Sequence, residues 1–263
     1  MGIRDVSHGG DQERGRDLLA RRRLPGGRRL VVHALRQGHN PAEGRAHRRK
    51  MPGVDALIGR CRAEIAPGAV HVPDWLSPAR QRQLVRACRA WARPPLGMER
   101  IRLPGGGLMS VRTVCLGRRW RPYRYTDEPV EPLPQWLAEL GRAAVAQTLG
   151  GPYEPDVALV NFYDDAATMG MHQDRDERAA APVVSLSLGD ACVFRFGNTA
   201  TRARPWSDVR LESGDLFVFG GPSRLAFHGV RRILPGTGPH DLIQGRLNIT
   251  LRQSGQGLSG GLP

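Results

Sequence analysis

The chain has almost no lysine and few aromatic residues. Lys50 is its only lysine, so arginine supplies nearly all of the positive charge behind a net charge of +14. Aromatic residues make up 6% of the 263 residues, whereas 33 glycines and 21 prolines indicate many turns. Long helices are therefore not expected, and a fold of short elements rich in β-strands is favoured. The excess of arginine over lysine is explained equally well by a GC-rich coding sequence and by selection for phosphate binding.

Paired cysteines and long apolar runs are also absent. The four cysteines, Cys61, Cys88, Cys115 and Cys192, are widely spaced, and this spacing indicates neither a zinc knuckle nor a disulfide framework. No apolar run approaches the ~18 residues of a membrane span, and the N-terminus lacks a hydrophobic signal core. We therefore expect a soluble cytoplasmic protein that acts as a monomer and has no membrane partner.

Charge and composition divide the chain into a basic tail and one domain. Residues 1–50 carry a net charge of +8 without a sustained apolar period, so we expect them to be disordered. They are either a basic nucleic-acid arm or the product of a start assigned too early, with translation beginning at or near Met51. Residues 51–253, the predicted catalytic domain, are only moderately basic, which is compatible with a nucleic-acid partner but does not require one. The glycine-rich residues 254–263 are expected to form a flexible tail.

Two segments show helical periodicity. Ser77 followed by proline predicts the start of a helix over residues 78–92, and residues 134–149 with Gly150 just beyond predict a second. After Gly150, short apolar runs between turn residues predict strands. The predicted strands are Val157–Tyr163, Val183–Leu188, Cys192–Phe196, Asp215–Phe219, Leu225–Val230 and Arg246–Leu251. Their spacing predicts a mainly β fold, either a sandwich or a jelly roll.

The stretch Met171–Glu177, MHQDRDE, concentrates charge between two hydrophobic segments. In an extended segment His172 and Asp174 point the same way, so both can bind one metal ion. His228, in a predicted strand, would be a third ligand. Two histidines and one carboxylate form the facial triad of non-haem Fe(II) oxygenases. The alternative is that His172 is a solvated loop histidine and His228 a core histidine.

The last predicted strand has a polar face. The two-residue strand period places on it Arg246, Asn248, Thr250 and Arg252. Buried guanidinium groups need anionic partners, and a dicarboxylate cosubstrate with one end on iron would supply two carboxylates. Asn161 and Tyr163 could add an amide and a phenol to the same pocket. The alternative is that both arginines lie on an exposed sheet edge.

Together these segments resemble the AlkB family of Fe(II)- and 2-oxoglutarate-dependent alkylation-repair dioxygenases. The segments that carry the resemblance are Asn161–Tyr163, His172–Glu177, Pro182–Gly189, Gly214–Asp215, Gly220–Arg224, His228–Gly229 and Arg246–Gln253. It covers residues 150–253 strongly and 66–130 more loosely. It implies a double-stranded β-helix, or jelly roll, with supporting helices. A nucleotide-recognition lid is implied at about residues 100–130 and a metal and cosubstrate core at about residues 150–253.

The resemblance also implies roles for individual residues. The implied Fe(II) ligands and catalytic residues are His172, Asp174 and His228. The implied 2-oxoglutarate contacts are Arg246, Tyr163 and Asn248 at the distal carboxylate, with Arg252 and Asn161 near the carboxylate at the metal. O2 is the second cosubstrate, and the implied reaction hydroxylates an N-methyl group, which leaves as formaldehyde.

Substrate contacts are implied on the lid and beside the metal. The carboxylate of Asp176 would favour a cationic base such as 1-methyladenine or 3-methylcytosine. Trp120, near Met109 and Tyr125 in the lid, would stack on a base flipped out of the duplex. The segment Arg118–Arg124 is more basic than the family pattern, and the alternative for Trp120 is an ordinary, partly exposed aromatic residue.

The predicted function is oxidative demethylation of N-alkylated bases in DNA, possibly also in RNA. One alternative is a related dioxygenase that acts on RNA, a protein or a small molecule. Another is a nucleic-acid-binding module with an inactive site. The complete set of metal ligands and the two arginines on one strand face argue against the inactive module.

Overall fold

The computed structural model describes residues 60–126, 128 and 130–256. The predicted tail at residues 1–50 and the alternative start at Met51 lie outside the described residues, as do residues 257–263. Among the described residues, no helix is both long and apolar enough to cross a bilayer.

Short strands dominate the described part of the chain, as the turn-rich composition predicts. The strands are β1 (Ala63–Ala66), β2 (Ala69–Val72), β3 (Arg112–Leu116), β4 (Arg119–Arg121), β5 (Arg124–Thr126), β6 (Val157–Tyr163), β7 (Met169–His172), β8 (Val183–Gly189), β9 (Ala191–Gly197), β10 (Trp206–Leu211), β11 (Leu216–Phe219), β12 (His228–Leu234) and β13 (Arg246–Arg252). The α-helices are α1 (Pro78–Trp91) and α2 (Gln135–Ala146).

Antiparallel pairing assembles these strands into two large sheets and one hairpin. The seven-stranded sheet has the order β1-β2-β11-β8-β13-β6-β3, and the four-stranded sheet has the order β10-β9-β12-β7. The hairpin of β4 and β5 pairs separately, within the predicted lid. Aromatic side chains of β9 and β11, including Phe194 and Phe217 with ring centroids 5.0 Å apart, pack between the two large sheets. The predicted jelly roll is confirmed.

The strand alternation of β8 and β13 separates a core face from a pocket face. Leu186 and Ile249 are cross-strand partners and belong to the core formed with α1 and α2. Ser185 and Thr250, also cross-strand partners, line the pocket between the sheets. Because β13 lies between β6 and β8, Arg246 and Arg252 are in the middle of the sheet rather than on an exposed edge.

Most helix and strand boundaries agree with those predicted from the sequence to within a few residues. Ser77 caps α1, since its hydroxyl accepts a hydrogen bond from the Arg80 backbone N–H at 3.3 Å. The predicted strand Leu225–Val230 is wrong at its start: β12 begins at His228. The chain before it turns, with the Ala226 N–H donating to the Ser223 carbonyl at 2.9 Å.

The short strands β1, β2, β7 and β10 were not predicted. Their sequences are brief or alternate weakly, and pairing with neighbouring strands stabilises them. Ser254, the first residue of the predicted flexible tail, is fully buried, and its N–H donates to Asp156 Oδ1 at 2.6 Å. This buried polar contact holds Ser254 in place, while the flexible tail over residues 254–263 stays a prediction because residues 257–263 lie outside the described residues.

Candidate metal centre and cosubstrate pocket

Sheet pairing brings the three predicted metal ligands to one point. His172 ends β7 and His228 begins β12, and the two are cross-strand partners with ring centroids 4.5 Å apart. Asp174 lies two residues beyond β7, with Oδ1 3.6 Å from His172 Nε2 and Oδ2 3.6 Å from His228 Nε2. Gly229 permits this approach of the strands, because a Cβ there would lie 2.5 Å from the carbonyl oxygen of Met169.

Backbone carbonyls orient both imidazoles. Nδ1 of His172 lies 2.9 Å from the Gly170 oxygen, and Nδ1 of His228 lies 2.9 Å from the Ala226 oxygen. A carbonyl oxygen only accepts hydrogen bonds, so each Nδ1 donates. Each Nε2 then presents a lone pair towards Asp174 when the ring is neutral, which is the arrangement that a metal ion requires.

The electrostatics of the cluster suit a divalent cation. Burial opposes ionisation of Asp174, but the nearby Arg252 guanidinium and the two histidines hold its pKa well below the usual value. Burial and the neighbouring His172 lower the pKa of His228 to about 4. Burial opposes protonation of His172 as well, yet the neighbouring carboxylate of Asp174 leaves its pKa raised. Asp174 Oδ2 is buried without a hydrogen-bond partner among the described residues, so the site fits Fe(II).

Arg246 is a buried cation that lacks a counter-ion among the described residues. It is 1% exposed, and its Nη2 and Nη1 donate to Ser187 Oγ at 2.9 Å and to the Asp190 carbonyl at 3.3 Å. Its Nε is buried without a partner in the described structure. Burying an unpaired guanidinium is costly, so this arrangement calls for an anion in the pocket.

The pocket between the sheets carries further polar groups. The Tyr163 hydroxyl is buried and donates to the Met169 sulfur at 3.8 Å, a weak acceptor. Asn161 accepts a hydrogen bond from Thr113 at 2.7 Å, which orients its amide. Residues that line the pocket include Asn161, Tyr163, His172, Asp174, His228, Arg246, Asn248 and Arg252. The structure thus gathers all predicted metal and cosubstrate residues around one cavity.

Arg252 also has a contact that the sequence did not predict. Its Nη2 lies 2.9 Å from Asp174 Oδ1, and its Nη1 donates to Glu177 Oε1 at 2.9 Å. Arg252 therefore holds a candidate metal ligand in place. Its Nε is buried without a partner among the described residues and remains available to a ligand in the pocket.

The family resemblance implies no role for Glu177 or Arg224. The Glu177 side chain is fully buried and accepts hydrogen bonds from Tyr125 at 2.5 Å and from Arg224 at 2.9 Å. Arg224 also donates to the Asp174 carbonyl at 2.8 Å. Both residues therefore support the segment that carries Asp174. The only sequence signal for Glu177 and Arg224 was that both lie in segments that resemble the AlkB family. Their contacts could not be predicted, because the partners are far apart along the chain.

The predicted substrate residues do not line the pocket between the sheets. Trp120 and Tyr125 are cross-strand partners in the hairpin of β4 and β5. Trp120 Nε1 donates to Asp176 Oδ2 at 2.7 Å, and burial leaves the pKa of Asp176 raised despite this hydrogen bond. Met109 is half-buried against the hydrophobic cluster that contains Tyr163. The hairpin is thus joined to the carboxylate segment next to the metal ligands.

Comparison with known proteins identifies the family. The model of the 2OG-Fe(II) oxygenase superfamily matches residues 68–252. The chain is 42% identical to an alpha-ketoglutarate-dependent dioxygenase AlkB homolog of Caulobacter vibrioides, over 72% of this chain and 89% of that one. It is 33% identical to the DNA N(6)-methyladenine demethylase ALKBH1D of Arabidopsis thaliana over 72% of this chain, and spans about half the length (50%) of that relative.

A solved structure agrees with these sequence relatives. The structure of OsALKBH1 matches 73% of this chain and 99% of that one, with a TM-score of 0.66 and 33% identity. The His-Asp-His cluster lies within the segment that the family model matches. The chain belongs to the AlkB family of dioxygenases, which use Fe(II), 2-oxoglutarate and O2.

Proposed function

We propose that this dioxygenase removes N-methyl groups from nucleic-acid bases, with the cationic bases 1-methyladenine and 3-methylcytosine in DNA as preferred substrates. The observation that carries the proposal is the contact of the Trp120 indole with Asp176, two residues from the candidate ligand Asp174. An aromatic ring and a carboxylate offer a cationic base both stacking and charge attraction. Methylation at these ring nitrogens also blocks base pairing, so the base is easier to flip out.

The proposed metal site is His172, Asp174 and His228. When bound, iron and 2-oxoglutarate supply the oxidation: with O2, 2-oxoglutarate becomes succinate and CO2 while the N-methyl group is hydroxylated and leaves as formaldehyde. Burial keeps His228 neutral near pH 7, so that its Nε2 is free to bind. Arg252 keeps Asp174 ionised and fixes its orientation.

Arg246 and its neighbours are the proposed 2-oxoglutarate site. The unpaired guanidinium would bind the distal carboxylate, with the Tyr163 hydroxyl and Asn248 beside it. Arg252 and Asn161 would lie near the carboxylate at the metal. The aromatic packing of Phe219 against His228, with ring centroids 4.9 Å apart, keeps water from one side of the pocket.

A second candidate substrate is N6-methyladenine in DNA. It is favoured by the 33% identity to the Arabidopsis DNA N(6)-methyladenine demethylase. This base is neutral, so it gains stacking but little from the charge of Asp176. RNA carrying the same cationic bases offers the same chemistry, since the phosphate charge is shared.

We also propose that the protein is a cytoplasmic monomer. Light scattering after size-exclusion chromatography tests its oligomeric state.

The test is succinate and formaldehyde release from methylated oligonucleotides. DNA and RNA strands carrying 1-methyladenine, 3-methylcytosine, N6-methyladenine or 1-methylguanine are compared with unmethylated strands, in the presence of Fe(II) and 2-oxoglutarate. We expect formaldehyde to be fastest from the cationic bases in DNA. Asp174→Ala, which removes a candidate ligand, should abolish release. The proposal fails if no methylated strand yields formaldehyde, or if the variant keeps wild-type turnover with added iron.

A further inference from the structure

Asp190 is the single residue that carries the chain from the large sheet to the small one. β8 of the seven-stranded sheet ends at Gly189, and β9 of the four-stranded sheet begins at Ala191. The corner at residues 189–191 is tight: Gly189 has φ +78°, and a Cβ there would lie 2.3 Å from the Gly245 carbonyl oxygen. The Asp190 N–H donates to the same carbonyl at 2.8 Å, so the corner contacts the chain directly before Arg246.

The Asp190 side chain is buried and accepts hydrogen bonds from the backbone of another loop. The residue is 4% exposed, and its Oδ1 accepts from the N–H groups of Thr237 at 3.0 Å and Gly238 at 2.9 Å. Thr237 returns the contact, since its hydroxyl accepts from the Ala191 N–H at 2.9 Å. Burying a carboxylate is costly unless hydrogen bonds compensate. These reciprocal contacts thus join the corner to the loop between β12 and β13.

The same corner holds the guanidinium of Arg246. Its Nη1 donates to the Asp190 carbonyl at 3.3 Å and its Nη2 donates to Ser187 Oγ at 2.9 Å. Ser187 lies within β8, where sheet pairing fixes its backbone. Asp190 lies between two strands, and its side-chain contacts with Thr237 and Gly238 supply what sheet pairing does not. The Asp190 side chain therefore acts on Arg246 through its own backbone carbonyl.

A fixed guanidinium binds an anion more tightly than a loose one. Arginine has many rotamers, and ordering it only when the anion arrives would cost affinity. If the corner loosened, Arg246 would keep its charge but lose its orientation. An anion would still be attracted, but it would be bound less tightly.

We propose that Asp190 is a positioning residue for 2-oxoglutarate: it joins the corner after β8 to the loop before β13 and thereby orients Arg246 towards the distal carboxylate. The inference rests on the proposed function for the assignment of Arg246 to that carboxylate. Asp190 itself does not touch the cosubstrate, and nucleic acid plays no part. The effect should therefore appear only in the affinity for ligands that carry the distal carboxylate.

The first experiment uses calorimetry on the Mn(II)-loaded full chain, in which cosubstrate binds without turnover. It compares 2-oxoglutarate with 2-oxobutyrate, which lacks the distal carboxylate. Asp190→Ala should raise the Kd of 2-oxoglutarate about tenfold, because a hydrogen bond to a charged group is weakened, and should leave that of 2-oxobutyrate within about twofold. Asp190→Asn keeps an oxygen that can accept both N–H groups, so its Kd values should stay within about threefold of wild type. Equal losses for the two ligands in Asp190→Ala, or an equal loss in Asp190→Asn, would overturn the inference.

Asn198 supplies a matched control at the opposite end of β9. Its Oδ1 accepts hydrogen bonds from the N–H groups of Ala200 at 2.9 Å and Thr201 at 2.8 Å, the same pattern as at Asp190. Asn198→Ala should lower the unfolding temperature as Asp190→Ala does, yet keep the wild-type ratio of the two Kd values. A ratio that changes equally in both variants would show that lost stability alone explains the effect, and the inference would be wrong.

Thr237 tests the same contact from the other loop, so the inference stays testable where Asp190→Ala does not fold. Thr237→Val removes the hydroxyl that accepts the Ala191 N–H and should raise the Kd of 2-oxoglutarate about 3- to 10-fold. Thr237→Ser keeps the hydroxyl and should bind as the wild type does. An unchanged affinity in folded Thr237→Val would contradict the positioning role.

Arg246→Ala separates the inference from the proposed function. This variant should lose the preference for 2-oxoglutarate over 2-oxobutyrate, and Asp190→Ala added to it should have no further effect, because both act on the same contact. If Arg246→Ala keeps the preference, the proposed cosubstrate site is wrong, and so is the positioning role. If Arg246→Ala loses the preference while Asp190→Ala retains it in full, only the positioning role is refuted.

Discussion

Arg252, on the last strand of the large sheet, binds the carboxylate of Asp174 with Nη2 2.9 Å from Oδ1. The same guanidinium binds Glu177, which also accepts the hydroxyl of Tyr125 on the lid hairpin. One arginine thus connects a candidate metal ligand with the hairpin proposed to contact the substrate. The contact makes Arg252 part of the metal centre as well as of the cosubstrate pocket.

Replacing Arg252 should destabilise the protein strongly. Arg252→Met leaves Asp174 partly unpaired in a buried site, and breaking a buried ion pair from one side costs about 3–5 kcal/mol. Urea denaturation of the metal-free protein measures this loss of the free energy of unfolding. Arg232→Met, on an exposed position of β12, is the matched control and should change stability by less than about 0.5 kcal/mol. Equal stability of both variants would show that the buried pair contributes little.

Replacing Arg246 should weaken 2-oxoglutarate binding selectively. A charge-assisted hydrogen bond contributes roughly 1.5–3 kcal/mol, so Arg246→Ala should raise the 2-oxoglutarate requirement about tenfold or more. Arg246→Lys should restore it only partly, because lysine lacks the bidentate fork. The KM for 2-oxoglutarate is the measurement, with Fe(II) affinity as the control that should stay unchanged. An unaltered 2-oxoglutarate dependence in Arg246→Ala contradicts the assignment.

The hydrogen bond between Trp120 and Asp176 should make their substitutions non-additive. Asp176→Asn should slow demethylation of 3-methylcytosine more than that of 1-methylguanine, because only 3-methylcytosine is cationic. Trp120→Ala should weaken binding of both bases by about 1–3 kcal/mol, because a stacking contact is lost. The loss of transition-state stabilisation in the double variant should differ from the sum of the two single losses by about 0.5–3 kcal/mol, because the two residues are in contact. The values of kcat/KM for both lesions decide this, and equal losses on both in Asp176→Asn would show that its charge does not select the base.

Metal binding should depend on pH through one histidine. The raised pKa of His172 means that this ring is protonated below about pH 6.5, the ordinary histidine value, so a metal ion must displace one proton there. His228, with a pKa of about 4, is already neutral, and the low pKa of Asp174 keeps its carboxylate ionised. The log of the Fe(II) dissociation constant should therefore rise by about one per pH unit as pH falls from 6 to 5. Anaerobic calorimetry measures it, and a slope of two would show that both histidines titrate together.

The local pattern of the sequence was sufficient to predict the faces of the strands. The two-residue alternation along Arg246–Arg252 places polar groups on one side of any strand, whatever its neighbours. His172 and Asp174 share a short segment, so their common direction is also a local property. The jelly roll was predicted from the order of the motifs along the chain, and the seven- and four-stranded sheets agree with this prediction.

Tertiary structure alone decided which charges meet. Glu177, Arg224 and Arg252 come from three separate segments, and only the register of β13 and the turn before β12 bring them into contact. The pairing of Trp120 with Asp176 depends in the same way on how the hairpin docks. Side-chain periodicity is a property of neighbouring residues and can be read along the chain. Ion pairs between distant segments depend on strand register and packing, in which a shift of one residue moves every side chain to the other face.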